Sequence, residues 1–286
     1  MITHRDRPVL PKPTDRLRLG NGGLKVSPIC LGMTDSPATI EAAFEAGVNF
    51  FFISADLHWP LYEATRKGLE RLLRGSRARR EQIVVGVVSY FEEPWFGYLQ
   101  FWEVIDAVPG LQRVDLLIAG GVSSASSFNE RTAVLRGARA KHYLGARAIG
   151  ASLHQRKLAV KVERNRLLDI SYIRYNAGHP GARRDVFPQL RGKHRALLFN
   201  FKSMTLGYTP GGSAKPQKSH GRWVPELTDC YRFVLSAPEI DGLLCSPRSP
   251  KQVRGLIEAL AKGPLSPEEQ DAMIRFYSRA DGSDEP

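Results

Sequence analysis

Cysteine is scarce. The 286 residues contain three, Cys30, Cys230 and Cys245. An odd, sparse set offers no disulfide framework, and a reducing, cytoplasmic compartment is expected. No apolar run reaches the roughly 20 residues of a membrane-spanning helix, so no membrane is expected as a partner. The opening MITHRDRPVLPKP has no apolar centre and does not read as a secretory signal. Zinc-finger spacing and RNA-binding aromatic motifs are lacking. No glycine-rich dinucleotide fingerprint follows the first strand. Acidic residues are in deficit: 29 Asp and Glu against 41 Lys and Arg leave a formal charge of +12. Such basicity raises nucleic acid as a partner. The densest cluster, Arg71, Arg74, Arg77, Arg79 and Arg80, ends an amphipathic helix and reads as a solvated face. No nucleic-acid partner is expected, whereas attraction of small anions is.

What is present is an alternation. Apolar runs fall at Pro28 to Gly32, Asn49 to Ser54, Ile83 to Ser89, Val114 to Ala119, Ala148 to Ser152, Ile170 to Tyr175, Ala196 to Phe201 and Gly242 to Cys245. Several are almost continuously apolar, as parallel strands buried on both faces are. Amphipathic segments such as SPATIEAAFEAG and YEATRKGLERLLRG separate them. Ser36 with Pro37 marks a helix start and Gly47 its stop. Eight such units predict an α/β fold, a (β/α)8 TIM barrel in a single domain over 1–286, with 1–14 and 281–286 loose. A doubly wound open sheet is the alternative. LRLGNGGLKVS reads as an N-terminal β-hairpin turning at Asn21-Gly22-Gly23 and covering the N-terminal mouth. Residues 207 to 225 form a Gly/Pro/basic loop, expected as a flap over the opposite mouth. Ser266 with Glu269 is a capping box that opens an extra C-terminal helix. The sequence sets no oligomeric state.

These pieces, taken in order, resemble the aldo/keto reductase family over nearly the whole chain. LKVSPICLG looks like the family's opening, EAAFEAGVNFF its first helix and second strand, and ARAIGAS its fifth strand. SYIRYNAGHPGARRDVFPQL is similar to the sixth strand and its loop. YRFVLSAPEIDGLLCSPRSPKQVRGLIEAL followed by GPLSPEEQ is similar to the C-terminal region. The resemblance implies hydride transfer from NADPH to a carbonyl, with a tyrosine acid assisted by lysine, aspartate and histidine. The carbonyl oxygen gains charge as hydride arrives, so a donor must meet it.

Against that pattern the chain departs. Where the resemblance asks for Asp-Thr-Ala and a tyrosine, the chain reads FFFISADLHW. One alignment sets Ile53, Ser54 and Ala55 on the triplet and His58 on the tyrosine; a one-residue shift sets Phe52 on the aspartate. Val88 stands about where the lysine would be, and Gly120 where the histidine would be. All four roles look vacant or substituted. The resemblance also implies cofactor anchors. Ser152-Leu153 replaces Ser-Asn, Tyr172 stands near the expected glutamine, and Phe201 can stack on a nicotinamide. Lys202 can meet a phosphate. Ser246, Arg248 and Ser249 resemble the phosphate-binding end, and Gly255-Leu256 replaces the adenine pair. The cofactor is thus left open, NADP with most anchors missing, held if at all by Ser152, Phe201, Lys202 and Arg248.

The chemistry-bearing candidates sit after strands, where barrel active sites are built. His58 is a replacement acid or base with Asp56 as its orienter, or else a loop histidine in solvent. Tyr172 and Arg174 alternate on one strand and share a face; inward, they would hold an anionic substrate. His154 and His179 follow strands five and six. Trp59, Tyr90, Trp95, Phe96 and Tyr98 form an aromatic wall or a packed rim. Cys245 reads as a small buried hydrophobe, and no metal site is expected. His58, Asp56 and Tyr172 are the catalytic candidates. Three functions compete: a barrel repurposed for a small organic substrate with NADPH-independent acid/base chemistry, an NADP-dependent carbonyl oxidoreductase with an altered proton donor, and a non-catalytic binding or scaffold protein.

Overall fold

The computed structural model describes residues 7–190, 196–204 and 225–280. Residues 205–224, which carry nearly all of the expected flap, and the tail 281–286 lie outside the described residues. The chain opens with β1 (Leu17–Leu19) and β2 (Leu24–Val26), then β3 (Ile29–Leu31), α1 (Ala38–Glu45), β4 (Phe50–Ser54), α2 (Glu63–Leu73) and α3 (Arg77–Gln82). There follow β5 (Val84–Ser89), α4 (Pro94–Ala107), β6 (Leu116–Val122), α5 (Ala125–Ala140), β7 (Ala148–Leu153) and α6 (Leu158–Asn165). The last part holds β8 (Ile170–Arg174), α7 (Ala182–Asp185), β9 (Leu197–Phe201), α8 (Asp229–Ser236), β10 (Gly242–Cys245), α9 (Pro250–Ala261) and α10 (Pro267–Ala280).

Strands β3 to β10 close into a barrel in sequence order, every neighbour parallel. The (β/α)8 expectation holds, and the open sheet falls away. Burial on both faces explains the continuous apolar runs. Inside the barrel, Phe50 meets Phe199 edge-on at 5.7 Å, and Tyr172 meets Phe52 at 5.8 Å and Phe199 at 5.9 Å. β4 does not neighbour β8 or β9, so these rings meet across the interior. Alternation then turns Phe52 and Ser54 inward and Ile53 outward. The register carries the same face to Val88 on β5, Ser152 on β7, Arg174 on β8 and Phe201 on β9.

The hairpin forms as expected, with Leu19 opposite Leu24. Its positive φ angles fall at Gly20 and Gly23, the two ends of a four-residue loop, rather than at Asn21 and Gly22. A side chain on Gly22 would lie 2.8 Å from the Arg147 carbonyl. Arg147 immediately precedes β7, so the hairpin lies across the N-terminal mouth. The segment from Arg7 onward is seated too: the Arg7 guanidinium donates to the carbonyls of Pro238 and Ile240 at 3.1 and 2.7 Å.

Three local expectations change. The arginine cluster is not one solvated face. A left-handed Gly75 separates α2 from α3, and Arg80 is 1% exposed, bound at 2.8 Å to the fully buried Asp115. Asp115 also receives the Val85 N–H at 2.9 Å, so this pair ties β5 to β6 at the barrel's base. The fourth barrel strand, β6, starts later than Val114 and runs on to Val122, because Gly121 (φ +66°) makes a bulge that lets Val122 pair with Leu153. Ser36 does not cap α1; Pro37 precedes it in helical conformation with no side-chain cap. The Ser266 capping box is reciprocal, Glu269 N–H to Ser266 Oγ at 3.2 Å and Ser266 N–H to Glu269 Oε2 at 2.8 Å. Among the described residues, no helix is long and apolar enough to cross a membrane.

Candidate active site at the barrel's C-terminal mouth

The loop after β4 is held by a carboxylate. Asp56 is 8% exposed, and a carboxylate this deep must be satisfied. It accepts from Ser89 Oγ and the Tyr90 N–H, both at 2.6 Å, and more weakly from the Phe91 N–H and Ser54 Oγ at 3.4 Å. Asp56 therefore ties the β4 loop to the end of β5. It does not pair with His58, so the expected orienting contact is not made.

His58 is exposed and meets an aromatic ring instead: its centroid lies 4.3 Å from that of Tyr90. Burial, with the negative charge of Asp56 behind it, pushes the Tyr90 phenol up to about 12. Tyr90 also explains a glycine. A Cβ on Gly120 would lie 2.6 Å from Val88 Cγ2 and 2.7 Å from Tyr90 Cδ1. The tyrosine ring fills the space that a side chain at 120 would need.

Arg131 on α5, which sequence reasoning missed, fixes this rim from behind. It is 4% exposed and donates to Gly120 O at 2.7 Å and Ser89 O at 2.8 Å. Its burial lowers the guanidinium's pKa, and the charges of Glu92 and Asp56 oppose that. A signal was there to read: Phe128, Arg131, Thr132, Leu135 and Ala138 follow the helical period and are all buried.

Tyr172 forms the floor. It is fully buried, and among the described residues the polar group its hydroxyl meets is the Cys30 thiol, a weak partner. Burial pushes its phenol well above the usual range. Cys245 is buried and free, its thiol pushed up to about 12 by desolvation, which suits a small hydrophobe.

On the opposite rim, β7, β8 and β9 bring a histidine and two cations together. Arg174 ends β8 on the inward face, opposite Phe201 of β9. His154 directly follows β7, and its ring lies 5.9 Å from that of Phe201. Burial lowers its pKa, and the positive charges of Lys202 and Arg174 lower it further. Lys202 is exposed and left-handed at φ +55°, with its carbonyl held by Asn176 Nδ2 at 2.7 Å. His179 is drawn aside, its Nδ1 3.2 Å from Asn176 Oδ1.

The remaining candidates are scattered. Ser152 Oγ accepts the Gly121 N–H at 2.8 Å and so pins the bulge. Arg248 is exposed, 3.3 Å from Asp35, beside Ser249, whose hydroxyl caps α9. Trp59 lies under the Arg66 guanidinium at 3.6 Å. Trp95, Phe96 and Tyr98 belong to α4, and their side chains lie outside the described residues. Among the described residues, no three His, Cys, Asp or Glu side chains converge as a metal site would require.

No family model matches the chain, and no curated protein sequence does. Solved structures do. A putative aldo-keto reductase, PA4992 of Pseudomonas aeruginosa, superposes with a TM-score of 0.63 at 16% identity, over 90% of this chain and 98% of its own. The aldo-keto reductase AKR11C1 of Bacillus halodurans gives 0.66 in its holo form and 0.67 in its apo form, each at 14% identity over 92% and 96% of the two chains. At these identities the likeness is one of fold: the chain has the barrel of the aldo-keto reductases.

Proposed function

We propose that this chain is a divergent member of the aldo/keto reductase family that binds a small organic molecule at the C-terminal mouth and performs acid–base chemistry there without NADPH. The His58–Tyr90 pair carries the reading. It sets an exposed imidazole against a phenol at a barrel's C-terminal rim, the place where barrel chemistry is done. His58 takes or gives a proton at a ring nitrogen. Tyr90 keeps its proton and can donate a hydrogen bond from its hydroxyl. Asp56 is a positioning residue that acts through the Tyr90 backbone, and Tyr172 lies beneath the ligand as the floor. The inward residues support the departure from family chemistry: Phe52, Val88 and Gly120 bring neither carboxylate, amine nor imidazole to the barrel centre.

The nicotinamide end of NADP does not fit. The Ser152 hydroxyl is engaged by Gly121, Tyr172 is sealed in the core, and His154 sits beside the Phe201 ring on which a nicotinamide would stack. If His58→Ala left turnover of the true substrate intact, this mechanism would be wrong.

A second reading is an NADP-dependent carbonyl oxidoreductase with His58 as an altered proton donor and Phe201, Lys202 and Arg248 as cofactor contacts. The observation in its favour is the capped N-terminus of α9 with Arg248 exposed beside it, an arrangement suited to a phosphate. Fluorescence titration with NADPH separates the two.

A further inference from the structure

The mouth is electrically lopsided. On the β4–β5 side stand Tyr90, His58 and the satisfied Asp56. On the β7–β9 side stand Arg174, Lys202 and His154 around one aromatic ring. The two charges His154 feels are both positive. Two cationic side chains, Arg174 and Lys202, end adjacent strands, and both act on the imidazole of His154 at the end of the third; such a concentration of positive charge attracts an anion. Arg174 points inward by register, so a guanidinium fork is directed at the mouth and not at the helices outside. Phe201, the register partner of Arg174, supplies an apolar face 5.9 Å from the His154 ring.

We propose that the C-terminal ends of β7, β8 and β9 form a site for the anionic group, carboxylate or phosphate, of a small ligand whose apolar part rests on Phe201. Arg174 and Lys202 pair with the anion, and His154 closes the site from β7. This rests on the reading of the mouth as a small-molecule site and names the class of molecule. The same arrangement disfavours an oxidised nicotinamide, whose ring is positive.

The test follows the imidazole signals by NMR in the full-length chain at constant ionic strength. Benzoate, inorganic phosphate and neutral benzamide are titrated separately. A saturable shift of His154 with benzoate or phosphate, at least tenfold tighter than with benzamide, is expected. His142, at the far end of α5, should not move. Saturation by benzoate alone assigns a carboxylate, and by phosphate alone a phosphoryl group. Arg174→Gln and, independently, the exposed Lys202→Gln should each weaken binding at least fivefold. Arg71→Gln, which makes the same change in net charge on α2, should not. Benzamide binding as tightly as benzoate would overturn the anion site while leaving the mouth a ligand site. Parallel shifts of His154 and His142, unsaturable shifts, or undiminished binding in both mouth variants would overturn it as well. If none of the three probes moves His154 or His58, the small-molecule reading falls with it.

Discussion

Tyr172→Phe removes one oxygen from the centre of the barrel. The ring lies between Phe52 and Phe199, and among the described residues its hydroxyl meets no partner stronger than the Cys30 thiol. A buried hydroxyl left unpaired costs about 1–3 kcal/mol. The Cys30 thiol is a weak donor and acceptor that recovers part of this. The substitution keeps the ring and its edge-on contacts, so no cavity larger than the lost atom opens. The expected outcome is a gain of about 1 kcal/mol in urea unfolding, or about 2 °C in Tm for a chain of this size. If Tyr172 also serves a ligand, activity should fall as stability rises, the trade expected where a site retains strain. A loss of 1 kcal/mol or more in Tyr172→Phe would refute the reasoning, because it would mean that the hydroxyl is well bonded in the native state.

Other consequences follow from the rim. Asp56→Ala strips acceptors from Ser89 Oγ and the Tyr90 N–H and should cost about 2–4 kcal/mol in denaturant unfolding. Gly120→Ala puts a methyl where the Tyr90 ring lies; a loss of about 1–3 kcal/mol and a changed ring-current shift at His58 should accompany each other. Difference absorbance between the wild type and Tyr90→Phe should show this phenol ionising near pH 12. Its folded pKa exceeds the unfolded value of 10.0, so its stabilising contribution is whole below pH 10.0 and is lost as pH rises toward 12. Ionisation near pH 10 would show that neither burial nor Asp56 acts on it as described.

The barrel was legible because its physics is local and repeated. Strands buried on both faces must be apolar throughout, so seven of the eight runs fall within a residue or so of the observed strands. β6 slipped because its length depends on a bulge whose partner, Ser152, lies 31 residues away. The one-residue ambiguity at the second barrel strand needed a three-dimensional answer. The contact of Phe52 with Tyr172 turns Phe52 inward and Ile53 outward, and no local pattern encodes a contact between residues so far apart in the chain.

The site was less legible. His58 and Asp56 looked like a pair because they are two residues apart, yet each found its partner on the β5 end, Tyr90 for one and Ser89 with the Tyr90 backbone for the other. Arg80 sat in a run of arginines that reads as surface, and only Asp115, 35 residues on, explains its burial. Arg174 and Lys202 were read as separate candidates, and their convergence with His154 follows from adjacent strands closing the barrel.

The central claim is that this mouth serves a small molecule without NADPH. Its most direct test is a titration of the full chain with NADPH, followed by calorimetry and by cofactor fluorescence. The account predicts no saturable binding at millimolar cofactor. Saturable binding at micromolar NADPH, weakened by Arg248→Ala or Phe201→Ala, would contradict it and favour the carbonyl oxidoreductase.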